Sequence, residues 1–341
     1  MSAPAPADAL QVHDAGLARV LEAVMDSMAM EPGTTGTTTR PATLAIVLET
    51  EGSTYARPGT AVLFTAEGHV GWLSGGCLEP EIERRAHHAV ASSHIGWIEI
   101  DTRDDSALFS GNAVGCRGRQ RVVLLPLTAM PGCTAVFEAW MAGTGALRLV
   151  LDVEGAVEFS CAAQVCAHRL AVDAVEWLQP NPHWTLQWPP PPRALLLGAG
   201  PEAAPLRAHL QGLGWQVRLL EPRASWRARS PVDVEDTRVQ EALSGLPVPD
   251  AVLVMHHNFE MDLDALIQLA LTTTPFIGLL GPKRRRDDLF ALLSEPQRES
   301  LMARLHSPVG LELGGRGPEA IALSIAAELQ AWHHDPSQRR A

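Results

Sequence analysis

The stretch Pro189-Pro190-Pro191-Pro192-Arg193-Ala194-Leu195-Leu196-Leu197-Gly198-Ala199-Gly200-Pro201-Glu202-Ala203 decides the fold. Four successive prolines fit neither a helix interior nor a central strand, and they make a stiff, extended spacer. The apolar run Ala194–Leu197 reads as a buried strand, and Gly198–Ala203 fits G-x-G-x-x-A before a helix at Ala204–Leu213. A second strand, Val217–Leu220, ends at Glu221, twenty-three positions beyond Gly198. Further strands at Ala251–Met255 and Phe276–Leu280 alternate with helical patterns. Alternation of this kind predicts a parallel, doubly wound sheet over 193–341.

Before the prolines the pattern differs. Leu10, Val12, Leu17, Val20, Leu21, Val24, Met25 and Met28 keep a 3.6-residue period, predicting a helix over 9–29. Gly33–Thr39 has nothing to bury and reads as a mobile loop. Ala45–Leu48 reads as a strand, Ala61–Thr65 with His69–Leu73 as a hairpin, and Leu78–Ala91 as a helix. Trp97–Ile100 and Arg121–Leu127 read as strands around a polar, glycine-rich loop from Asp101 to Gly118. Residues 134–142 read as a helix and Leu147–Val172 as antiparallel strands. The expectation is an α/β chain: an N-terminal α+β domain over 1–188, a proline linker over 189–192, and a Rossmann-like domain over 193–341.

Composition excludes several classes. The chain has 341 residues and a formal net charge of -12, which argues against a groove for nucleic acid phosphates. No apolar run reaches the roughly 18–20 residues needed to span a bilayer, and MSAPAPADAL lacks the features of an export signal. Five scattered cysteines, Cys77, Cys116, Cys133, Cys161 and Cys166, read as free thiols in a reducing, cytoplasmic compartment.

Candidate chemistry gathers at three places. Cys77 follows Gly75-Gly76 at the start of a helix, where the dipole stabilises a thiolate and free amides attract an anion. A small buried cysteine filling a helix–sheet contact is the competing reading. Cys116 sits on a glycine-flanked loop, and Arg57 on a turn is either an anion clamp or a solvated side chain. In the second domain, Gly198, Gly200 and Glu221 fit the phosphate and ribose contacts of a nucleotide, although Pro201 removes a donor and the scaffold alone explains the glycines equally well. His256 and His257 end a strand and point to opposite faces, which disfavours a joint metal site. The basic run Lys283–Arg286 opens a helix against its dipole, facing either an anionic partner or solvent.

Several separated blocks together resemble the XdhC/CoxI family. They are Glu51–Tyr55 with Arg57-Pro58-Gly59, Leu73–Glu79, Gly115–Gly118, Gly198-Ala199-Gly200, Gly278–Gly281 with Lys283-Arg284-Arg285, His306–Leu311 and Gly317–Ile325. The resemblance spans about residues 15–332 and departs at Arg117, at Pro201-Glu202 and at Glu221, where the family has glycine, often His-Val, and commonly Asp. It implies a molybdenum-cofactor chaperone for xanthine dehydrogenase-like hydroxylases. Such a protein binds the molybdopterin form of the cofactor, supports replacement of an oxo ligand by a sulfido ligand, and delivers the product to the apoenzyme. It implies a cysteine desulfurase as sulfur source, a homodimer, and a maturation factor in place of an enzyme. Carried over by position, Cys77 and Cys116 are placed near the cofactor, Cys77 also as metal ligand, with the loop from Ser53 through Arg57 to Gly59 beside them. The alternative is an NAD(P)-dependent oxidoreductase using Gly198, Gly200 and Glu221, for which no Ser/Tyr/Lys or Arg/His constellation is evident.

Overall fold

Leu44, Ile46 and Leu48 alternate with Ala45 and Val47 along one strand, and both sets are buried, so this strand is covered on both faces. It is the centre of the first half of a computed structural model that describes residues 9–12, 14, 16–28, 40–76, 78–103, 117–175, 181–244 and 247–335. Gly33–Thr39, Cys77 and Cys116 lie outside the described residues, as does most of the loop expected between Asp101 and Gly118.

The chain divides into two compact units, Met1–Pro191 and Pro192–Ala341. In the first, the elements run β1 (Leu10–Gln11), α1 (Leu17–Met28), β2 (Ala42–Gly52), β3 (Ala61–Thr65), β4 (Gly68–Val70), α2 (Glu79–Ser92), β5 (Gly96–Asp101) and β6 (Gly118–Pro126). They continue with α3 (Thr134–Met141), β7 (Leu147–Asp152), β8 (Ala156–Cys161), β9 (Gln164–Arg169) and β10 (His183–Trp188). One antiparallel sheet has the order β4-β3-β2-β6-β5, and a second has β1-β10-β7-β8-β9. Ala45, Val47, Val122 and Leu124 of the first sheet pack on Ile82, Ala86 and Ala89 of α2. Its other face, with Leu44, Ile46 and Val123, shares a core with α1, α3 and the inward residues of β7, β8 and β10. Arg121 bridges Glu49 of β2 at 2.9 Å and Glu99 of β5 at 2.8 Å, and Glu49 also accepts a 2.7 Å bond from the Trp184 indole of β10. The two sheets are thereby pinned through one carboxylate.

Three sequence expectations change here. The first helix begins at Leu17, seven residues later than its apolar period, because Leu10 and Gln11 pair in parallel with Leu186 and Gln187 of β10. β10 itself was not expected, although Trp184, Leu186 and Trp188 alternate inward from His183, Thr185 and Gln187. The second hairpin strand stops at Val70, since Gly71 turns at φ +99.

The second unit contains β11 (Arg193–Leu197), α4 (Ala203–Gly212), β12 (Gln216–Leu220), α5 (Ala224–Arg227), α6 (Val239–Ser244), β13 (Ala251–Val254) and α7 (Phe259–Leu269). It ends with β14 (Phe276–Leu279), α8 (Lys283–Leu292), α9 (Glu295–Met302), β15 (Leu305–His306) and α10 (Pro318–His334). The sheet is parallel throughout, with order β12-β11-β13-β14-β15. Leu196, Leu219 and Leu253 face α4 and α10, while Leu195, Val252 and Ile277 face the layer holding α7, α8 and α9. Burial on both faces explains why these strands read as unbroken apolar runs. Strand order reverses between β11 and β13, so the switch-point crevice of this unit lies where Gly198 meets His256.

Candidate functional site

In the first unit a cleft is lined by Thr54, Tyr55, Leu73, Ser74, Gly75 and Leu78, closed on the other side by Ile100, Thr102, Gly118 and Gln120. These residues come from four stretches, 54–55, 73–78, 100–102 and 118–120. Chain crossings hold them together: the Ser53 amide donates to Arg117 O at 3.2 Å, and the Thr102 hydroxyl donates to Gly118 O at 2.8 Å. A Cβ at Gly118 would lie 2.3 Å from Ser53 O, so only glycine lets the two segments approach this closely. The floor is polar. Ser74 and Glu79 are each 4% exposed, the Ser74 amide donates to Glu79 Oε1 at 2.7 Å, and its hydroxyl donates to Glu79 Oε2. Burial pushes the Glu79 carboxyl up, but the hydrogen bonds from the Ser74 hydroxyl and amide outweigh it and hold the group below its ordinary value. Gln120 donates its amide to Leu73 O at 3.4 Å, while its buried Oε1 has no partner among the described residues.

The crevice of the second unit is filled from within. Glu221, 0% exposed, accepts from the Ala199 amide at 3.1 Å and the Arg223 amide at 3.0 Å. The Arg223 guanidinium adds bonds of 2.7 and 2.6 Å and reaches His256 O at 3.0 Å. Burial raises the Glu221 carboxyl, and these donors together bring it below its ordinary value. His257, at φ +54, sets its ring over Gly200 and bonds Glu202 at 3.1 Å. Behind it, buried Asp262 accepts from His256 Nδ1 at 3.1 Å and from Arg285 at 2.6 Å. The carboxylates around this glycine loop are therefore all bonded to partners within the unit.

The family model described as XdhC and CoxI family matches residues 37–100, which carry the first two of the four stretches that meet at the cleft, and Ile100 of the third. The model described as XdhC Rossmann domain matches residues 195–329. This chain belongs to the XdhC and CoxI family. Among relatives of the family, a probable xanthine dehydrogenase subunit of Bacillus subtilis is 26% identical over 309 residues, covering 84% of this chain and 92% of that protein. The uncharacterized protein YqeB of Escherichia coli is 28% identical over 147 residues, which is 40% of this chain and only 27% of that protein. A crystal structure of a xanthine dehydrogenase from Bacillus halodurans superposes with a TM-score of 0.71 at 26% identity, covering 93% of this chain and 97% of that one.

The sequence-named residues of this family member separate into groups. Gly75 lines the cleft. Ser53 is exposed beside it and contributes through its backbone, while Arg57 is exposed on its turn, with its amide on Thr60 Oγ1 at 3.2 Å. Cys77 and Cys116 lie outside the described residues, between or beside Gly76, Leu78 and Arg117. The expectation of free amides at this helix start is corrected: the Gly76 and Leu78 amides both donate to Ser74 Oγ at 3.2 Å. Both oxygens of Glu221 are bonded within the fold, and Gly198 is required by packing, a Cβ there lying 2.5 Å from Met255 O. The reading of all five cysteines as free thiols is also corrected, since Cys133 and Cys166 form a disulfide; Cys161 is free and buried. Spacing hid that bond, because the pairing of α3 with β9 is a tertiary event across 33 positions. Thr54 falls in the loop the resemblance set beside the cofactor, whereas Ser74, Thr102 and Gln120 were missed as cleft residues, and Glu79 as the carboxylate beneath them. The one signal was Gln120, a polar residue on the strand Gly118–Pro126 that precedes the apolar run Val122–Leu125.

Proposed function

We propose that this chain is an accessory protein of a xanthine dehydrogenase-type molybdenum hydroxylase, and that the cleft of its first unit holds the molybdopterin form of the cofactor as cargo. The observation that carries the reading is the convergence of Thr54–Tyr55, Leu73–Gly75 with Leu78, and Gly118 with Gln120 on one cleft. Its walls combine apolar Leu73, Leu78 and Ile100 with uncharged Thr54, Tyr55, Thr102 and Gln120, a lining suited to a planar heterocycle with hydrogen-bonding edges. The buried Gln120 Oε1 is an acceptor awaiting an N–H, and desolvation without one is costly.

Cys77, next in the chain after Gly76, supplies the soft sulfur that a molybdenum centre favours. In this reading Glu79 and Ser74 act as positioning residues: they tie down Ser74, Gly76 and Leu78, the described neighbours of that cysteine. Sulfur comes from a cysteine desulfurase, and the sulfurated cofactor passes to the apo-hydroxylase in the cytoplasm, from a homodimer of this chain. An NAD(P)-dependent oxidoreductase is the weaker reading, because Glu221 and Glu202 are already engaged at the glycine loop.

The test is purification from a host that makes molybdopterin, with oxidised-pterin fluorescence and molybdenum measured per chain. Wild type is expected to carry or bind pterin, and Cys77→Ser to lose retention or fail to activate an apo-hydroxylase. Equal loading and delivery by wild type and Cys77→Ser would remove the thiolate from the mechanism. A saturable NADH or NADPH titration with no pterin binding would favour the oxidoreductase.

A further inference from the structure

Away from the cleft, Cys133, Cys166 and His168 bring two sulfurs and an imidazole nitrogen within 4.8 Å of one another. The chain positions them by different means. Cys133 immediately precedes the first turn of α3. Cys166 and His168 are two residues apart on β9, hence on one face of the strand. Cys133 and Cys166 are 0% and 5% exposed, so neither sulfur is an incidental surface thiol.

We propose that these three residues form a redox-gated site for one thiophilic divalent cation of the zinc type. The disulfide is the closed state and the reduced pair the open one. Two thiolates and an imidazole are the donor set such a cation prefers, with water completing a tetrahedron. Zinc–sulfur bonds of about 2.3 Å put the two sulfurs roughly 3.8 Å apart in a tetrahedral site, which fits within the 4.8 Å span of the cluster. His168 Nε2 lies 3.0 Å from Pro131 O, an N–H to carbonyl bond that leaves Nδ1 with the lone pair. Ligating histidines are oriented by this type of bond. His168 is half-buried on β9, the edge strand of its sheet.

Opening requires a dithiol reductant. Its thiolate attacks one sulfur of the Cys133–Cys166 bond, its second thiol closes its own disulfide, and two electrons and two protons pass to the cysteines. Cation binding then releases the protons from the two thiols. In either state α3 stays tied to β9, covalently or through the metal.

The experiment titrates Co2+ into the full chain after metal stripping, once oxidised and once reduced with a phosphine. The reduced chain is expected to gain one equivalent with the thiolate-to-cobalt absorption of a tetrahedral site, displaced by Zn2+, and the oxidised chain none. His168→Asn, at a half-buried position that leaves both sulfurs in place, is expected to weaken retention about tenfold or more. The Cys133→Ser, Cys166→Ser double variant should lose the band while Cys77, Cys116 and Cys161 remain. No thiolate–cobalt absorption in the reduced wild type overturns the proposal, as does an unchanged band in the double variant or unchanged affinity in His168→Asn.

Discussion

Two glycine loops open helices in this chain, and they use glycine for opposite reasons. At Gly75 and Gly76 an added Cβ would meet nothing within 4 Å, although Gly76 stands at φ +101. At Gly198 it would strike Met255 O at 2.5 Å, and at Gly200 it would lie 3.0 Å from the His257 ring. The first loop borders open space, tied from beneath by Ser74 and Glu79. The second is closed by the fold's own side chains, with Glu221 holding the Ala199 amide and Glu202 paired to His257. The glycines of the formal motif are held by close packing, while the less formal Gly-Gly pair has no neighbour where a side chain would stand.

Substitutions test this contrast. The largest effect is expected from Glu221→Ala, which strands the Arg223 guanidinium and the Ala199 amide; it should cost about 3–5 kcal/mol in urea unfolding. Glu221→Gln, nearly isosteric, should recover part of that loss. Gly198→Ala comes next, at about 2–3 kcal/mol, since the Cβ clash falls on backbone at positive φ. A Gly198→Ala chain of wild-type stability would mean the second loop is looser than its packing indicates. Ser74→Ala removes the hydroxyl that serves Glu79 and two amides, and should cost about 1–2 kcal/mol while lowering pterin loading.

Acid sharpens the same point. Glu79 and Glu221 both titrate below their ordinary 4.5 in the folded chain. The native state therefore holds fewer protons there than the unfolded state, and the stability these groups add is complete above pH 4.5. It drains away as pH falls below that value toward the lowered ones. Glu79→Gln should flatten part of that acid slope, read from unfolding midpoints between pH 5 and 3. The smallest structural effect belongs to Gly75→Ala, within about 0.5 kcal/mol of wild type. Its pterin loading should nonetheless fall, because the methyl enters the cleft. Unchanged loading would place the cargo elsewhere.

The β/α alternation after Pro192 was legible because strands buried on both faces must be continuously apolar, as Ala194–Leu197 and Ala251–Val254 are. The blocks around Gly52, Gly75 and Gly118 were legible as blocks, and only the family resemblance set them side by side, since nothing in their spacing does. Leu10–Gln11 was misread because its apolar spacing continues the period of α1, and only pairing with β10 makes it a strand. Ser74 and Glu79 stood in a block the resemblance used, yet nothing signalled their burial, since a serine and a glutamate near a helix start ordinarily face water. Here both are buried.

Periodicity, punctuation by proline and the order of blocks are local properties, so the sequence alone determined the two-part architecture and the family it resembles. Which glycine has space beside it, which carboxylate is already bonded and which cysteines meet depend on contacts between segments far apart in the chain. Those distances are settled only when the sheets close and side chains compete for the same volume.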